Sequence, residues 1–179
     1  AVAEWLAIDP EGRYYGIAED VKHESSVRKI AAGIREVEQE RNIPPSSRWL
    51  DPSCWASRQG DPSIAEQFDD VGMDFGKADN DRIGGWNRID DLLTEEVPGD
   101  ERAGDEPLAD GTMPMVPRLR IFRSCKLLIH QLPNAKIKDG TDDIEKKNDD
   151  ALDSFRYGVN SRPPLPFYPE DEEELEQVR

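Results

Sequence analysis

Apolar positions change their period several times along the chain, and each change marks an element. The opening AVAEWLAI reads as a strand, Asp9-Pro10-Glu11-Gly12 as a turn and RYYGIAEDV as a second strand, so the first residues predict a hairpin. From Glu24 to Arg41 the spacing is helical, with Val27, Ile30, Ile34 and Val37 on one side. Ser25 or Ser26 would cap that helix, and Pro44-Pro45 follows its end. Ser47 to Asp51 reads as a short strand, Ser63 to Val71 as a short helix closed by Gly72, and Met73 to Ala78 as another strand. Ile83, Trp86, Ile89 and Leu93 give one apolar face to a helix from Asn80 to Glu96, which Gly84-Gly85 weakens. RLRIF (Arg118 to Phe122) reads as a strand, Ser124 as the cap of a helix to about Leu132, and Ile144 to Asn160 as the last helix.

Strands come first, and helices then alternate with short strands. That order predicts an α/β domain over residues 1–160 with a mixed sheet covered by helices. Val97 to Pro117 holds Pro, Gly and acids without a period and is expected as a long acidic mobile loop. Residues 161–179 are Pro-rich and then acidic, and are expected as a disordered tail.

Composition alters this picture little. The chain has 179 residues, enough for one domain with a core. Cys54 and Cys125 are far apart in sequence, which points to neither a disulfide framework nor a zinc site and fits a reducing compartment. His23 and His130 lack metal-ligand spacing. No apolar run approaches the roughly 18 residues of a membrane span, so no membrane partner is expected. The formal net charge of −16 argues against a nucleic-acid binder until its distribution is considered. Asp90 to Asp110 holds nine acids and one Arg, net −8, and Arg162 to Arg179 holds six acids and two Arg, net −4, leaving −4 for the remainder.

Two places carry candidate chemistry. Asp51 follows a strand, and open α/β sheets build their sites at the carboxyl ends of strands. A carboxylate there can bind Mg²⁺, although an ordinary Asp-Pro turn has the same sequence. The second place is Asn148-Asp149-Asp150-Ala151-Leu152-Asp153 on the last helix. At ~100° per residue, Asp149, Asp150 and Asp153 share one arc beside an apolar stripe of Leu152, Phe155 and Val159. Like charges at i, i+4 repel, and a cation between them would relieve the strain. A solvated acidic face near Lys146 and Lys147 is the alternative. Paired carboxylates holding two Mg²⁺ or Mn²⁺ ions are one solution for phosphodiester hydrolysis. Arg118, Arg120, Arg123 and Lys126, with Lys146, Lys147 and Arg156 beside the helix carboxylates, could contact phosphates, or could be solvated surface. Gly72 to Ala78 fails as a phosphate loop, with three residues between the glycines and Ala78 in place of Ser or Thr. Asp79 to Gly84 fails as a calcium loop, because Ile83 fills a ligand position.

Several segments in order resemble the C-terminal nuclease domain of tailed-phage DNA-packaging terminase large subunits. They are AVAEWLAIDPEGRYYG, WLDPSCWA, SIAEQFDDVGMDF, KADNDRIGGWNRIDDLL, LRIFRSCKLLIHQLP and KKNDDALDSFRYG, together covering roughly residues 1–160. The resemblance implies a ribonuclease H-like mixed central sheet flanked by helices. It also implies cleavage of concatemeric viral double-stranded DNA with Mg²⁺ or Mn²⁺ during packaging. Asp51 matches the family's second acid, and the third falls in the NDDALD run, Asp150 first, with Asp149 and Asp153 following. The family's first acid and strand would precede Ala1, and Asp9 stands in the wrong place to substitute. The implied catalytic residues are Asp51, Asp150 and Asp153, with Asp149 as a further metal ligand. The implied partners are DNA, the portal protein and the small terminase subunit, in the cytoplasm of an infected bacterium. A docking module of the packaging motor without activity is the alternative, as is another ribonuclease H-like nuclease such as a Holliday-junction resolvase.

Overall fold

A computed structural model of the chain describes residues 1–57, 60–136, 140 and 149–161. The hairpin forms as the alternation predicts: β1 (Val2–Ile8) pairs antiparallel with β2 (Tyr14–Val21). The register slips between Trp5 and Leu6, which face Ala18 and Gly16 and leave Ile17 as the extra residue of a bulge. The slip turns Gly16 toward the last helix, where an added Cβ would stand 3.2 Å from the Phe155 ring. β7 (Leu119–Ile121) joins β2 in parallel, so the sheet is mixed, in the order β1-β2-β7.

Helices cover both faces. On one side α1 (Val27–Arg41) and α2 (Ile64–Asp69) close a core of Trp5, Ala18, Ala31, Ile34, Phe68 and Met73. The other side carries α3 (Arg82–Thr94), α4 (Lys126–Gln131) and α5 (Asp150–Ser161). Their core includes Trp86, Ile89, Leu119, Leu128, Leu152, Phe155 and Val159. The fold is thus mixed α/β, a small mixed sheet flanked by helices. Two short parallel strands, β3 (Trp49–Leu50) and β4 (Gly76–Lys77), form a second sheet. Among the described residues, no helix is long and apolar enough to cross a membrane.

Two expectations need correction. Residues 97–117 do not lack regular structure: β5 (Glu96–Pro98) and β6 (Met115–Pro117) pair antiparallel. Ion pairs anchor this hairpin, Asp100 to Arg13 at 3.0 Å and Asp105 to Arg120 at 2.7 Å. Its strands are too short to show a period, and its anchors are distant in sequence. Ser124 does not cap α4, because its hydroxyl donates to the Ile17 carbonyl at 2.8 Å. Glu19 of β2 takes that role, accepting from the Leu127 and Leu128 amides at 2.6 and 3.1 Å. Gly84 and Gly85 stand inside α3, and Gly85 admits Arg156, whose Cγ would lie 2.7 Å from an added Cβ. The start expected for the last helix, 144–148, and the tail beyond Ser161 lie outside the described residues.

Glu4 stands directly across from Glu19, and both its carboxylate oxygens are buried without a hydrogen-bond partner. Burial, with the Glu19 charge adding to it, pushes its pKa up to about 9 from 4.5. The folded chain therefore holds a proton at Glu4 that the unfolded chain releases above pH 4.5. This contribution to stability is full below pH 4.5 and is lost as pH rises to about 9. Replacing Glu4 with Leu should flatten that slope in denaturant titrations run across the window. It should also stabilise the fold at pH 8 by about 1–3 kcal/mol, by removing an unsatisfied buried polar group.

Candidate functional site

β3 ends where Pro52 opens a 3-10 turn, Pro52–Trp55, and Asp51 caps that turn. One carboxylate oxygen of Asp51 accepts from the Ser53 amide at 2.7 Å. The other accepts from the Tyr157 hydroxyl of α5, also at 2.7 Å. Partial burial raises the Asp51 pKa, but the Tyr157 and Ser53 hydrogen bonds and the Arg156 charge outweigh it, so the net shift is downward. Asp51 is therefore an anion at neutral pH. Burial, then the Asp51 hydrogen bond and charge, push the Tyr157 phenol up to about 12, so it remains a donor.

The same helix carries the acidic run one and two turns earlier. Asp153 accepts from Arg82 Nη1 at 2.8 and 3.0 Å, and Asp149 from Arg82 Nη2 at 3.3 Å. Arg156, 1% exposed, donates to Asp153 at 3.3 Å and to the Asp81 carbonyl at 3.3 Å. Its guanidinium carbon lies 4.4 Å from the centroid of the Tyr157 ring. Asp150, at the first position of α5, is exposed. The structure thus brings Asp51 to the helix that bears Asp150 and Asp153, with Asp149 just before its first residue. The cation between Asp149 and Asp153 is Arg82.

The basic candidates lie elsewhere. Arg118 pairs with Glu95 at 2.6 Å, and Arg120 pairs with Asp105 while its guanidinium carbon lies 5.4 Å from the Tyr15 ring. Both charges are met by acids at the end of α3 and in the β5–β6 hairpin. Arg123 is exposed, and Lys146 and Lys147 lie outside the described residues. The failed calcium loop has a local role: Asp81 caps α3 by accepting from the Gly84 amide at 3.0 Å, and Asp79 accepts from the Asp81 amide at 2.9 Å.

Sequence reasoning missed Tyr157 and Arg82, and it read Arg156 as a phosphate contact, whereas Arg156 is buried and pairs with Asp153 and the Asp81 carbonyl. Tyr157 was within reach of the helical spacing, standing at i+4 from Asp153. Arg82 gave no such signal, being 71 residues from Asp153. Another cluster was also missed. Oxygens of Asp9, Glu11 and Asp100 lie within 4.8 Å of one another, the single such group of three potential ligands among the described residues. Arg13 fills it, with contacts of 2.6, 3.2 and 3.0 Å to Asp9, Glu11 and Asp100.

A hard divalent cation needs carboxylate oxygens left open to it. Asp51 supplies an ionised carboxylate, but Asp149 and Asp153 spend theirs on arginine, and no third carboxylate among the described residues closes a cluster on Asp51. As arranged, these residues do not fit a two-ion site. Comparison with protein-family models, curated proteins and solved structures finds no match to this chain.

Replacing Tyr157 with Phe removes the O–H donor to Asp51. The Asp51 pKa should then rise, as followed by carboxyl NMR titration, and stability at neutral pH should fall by about 1 kcal/mol. An unchanged Asp51 titration would show that this hydrogen bond does not form.

Proposed function

We propose that this chain is a metal-dependent endonuclease domain acting on double-stranded DNA, of the ribonuclease H-like class used by tailed-phage packaging terminases. The observation that carries the reading is Asp51: an ionised carboxylate at the end of a parallel strand, hydrogen-bonded to Tyr157 on the helix that bears Asp150 and Asp153. The ordered sequence segments support the same family. In this reading Mg²⁺ or Mn²⁺ is the cofactor, and concatemeric viral DNA, the portal protein and the small terminase subunit are partners in the infected cell. Asp51 contributes fixed negative charge, and Tyr157 and Ser53 orient it. Asp150, exposed at the start of α5, would be the carboxylate open to an ion, whereas Asp149 and Asp153 are held by Arg82.

A docking module without activity is the second reading, and the Arg82 contacts favour it, since they satisfy the acidic pair with no ion. The two readings part in one assay. Supercoiled plasmid incubated with the chain and Mn²⁺ should be nicked, and EDTA or Asp51→Ala should abolish the nicking. Nicking that persists in EDTA would falsify the metal-dependent reading, and no nicking at all would leave the docking module. A preference for four-way junctions over plain duplex would point to a resolvase instead.

A further inference from the structure

Between Gly111 and Lys138 the sequence holds six Lys or Arg and no acid, in a chain of net charge −16. Two of these cations are met from elsewhere, Arg118 by Glu95 and Arg120 by Asp105. Arg123 and Lys126 are exposed, and among the described residues neither has an ion-pair partner. Leu128, fully buried, marks the inner side of α4. Lys126, Ile129 and His130 fall at i, i+3 and i+4 and share its outer face. The Cys125 amide donates to the Phe122 carbonyl at 2.9 Å, a turn that sets Phe122 and Arg123 at the head of that helix. Phe122 and Ile129 stand in solvent, 48% and 42% exposed. Apolar surface rimmed by charge is the form an interaction site takes.

A simple anion would use the cations and leave the two apolar side chains wet. The face fits an acidic peptide with apolar residues spaced through it, and this chain carries one. Residues 170–176 hold six acids in seven positions, and Leu175 and Val178 stand three apart. That segment is within reach. Gln131, at the end of α4, accepts from the Ala151 and Leu152 amides in the first turn of α5 at 3.0 and 3.3 Å. The α5 helix then runs about 18 Å to Ser161. The nine residues from Ser161 to Glu170 can span up to about 30 Å, enough to return.

We propose that the acidic segment 170–176 docks within the same molecule on the outer face of α4, pairing with Arg123 and Lys126 and covering Phe122 and Ile129. Tethering raises its effective concentration to the order of millimolar, so individually weak pairs suffice. The segment then competes with any polyanion for those two cations. This docking stands whether or not the chain cleaves DNA.

The test compares amide NMR spectra of the full parent chain and of a variant carrying Glu172→Gln, Glu173→Gln, Glu174→Gln and Glu176→Gln, with unchanged core signals as the check on folding. The signals of Phe122, Arg123, Lys126 and Ile129 should differ between the two at low salt. They should converge at 1 M salt, where the screening length is about 3 Å. A water-soluble carbodiimide should join the Lys126 amine to an acid of 170–176 within one molecule. Lys126→Arg, which keeps the charge but offers no amine, should lose that link and keep the parent's spectrum. Coincident spectra at low salt, or a link that forms only between molecules and fades on dilution, overturns the proposal. If the spectra coincide and a short DNA duplex shifts these same signals, the face belongs to nucleic acid instead.

Discussion

A buried guanidinium organises this molecule. Arg156 is 1% exposed, and a charge so placed must find partners inside the protein. It finds the Asp153 carboxylate on its own helix, the Asp81 carbonyl at the start of α3 and the face of the Tyr157 ring. Each contact fixes a neighbour. Gly85 has no side chain because the Arg156 stem lies across it. Tyr157, stacked against the cation, aims its hydroxyl at Asp51. The apolar side of α5 meanwhile buries Leu152, Phe155 and Val159 between the sheet and α3. Core packing and site geometry therefore depend on one helix.

Paired charge is the second theme. A net charge of −16 promises repulsion, yet many acids near the sheet are spent on arginine. Arg13 gathers Asp9, Glu11 and Asp100, Arg120 holds Asp105, and Arg82 holds Asp149 and Asp153. Clusters that look like cation sites in the sequence are thus already occupied by side-chain cations. These pairs are partly buried, so breaking one partner away costs more than an exposed pair would.

Local order in this fold is legible from period and punctuation. The β1–β2 hairpin, α1, α2, α3 and the strand at Leu119 all follow from apolar spacing with Pro, Gly and cap residues. Glu66 and Ser63 form the reciprocal cap that their spacing suggests. The β5–β6 pair escaped because three-residue strands carry no period and are fixed by Arg13 and Arg120 from distant segments. Glu19 as the cap of α4 escaped for the same reason, lying 108 residues from Leu127. At the candidate site, Asp51 meets the last helix through Tyr157, a residue the sequence reading did not name. The identity of the cation on Asp149 and Asp153 was not legible, because repulsion within a helix says that a positive charge is needed and not which one.

The tie between β3 and α5 through Asp51 and Tyr157 is the central claim, and a double-mutant cycle tests it most directly. Asp51→Asn, Tyr157→Phe and the double variant would be unfolded in denaturant at neutral pH. Residues in direct contact should show a coupling of about 0.5–3 kcal/mol. Additivity to within about 0.3 kcal/mol would mean that the two side chains do not interact, and that Asp51 is not joined to the acidic helix.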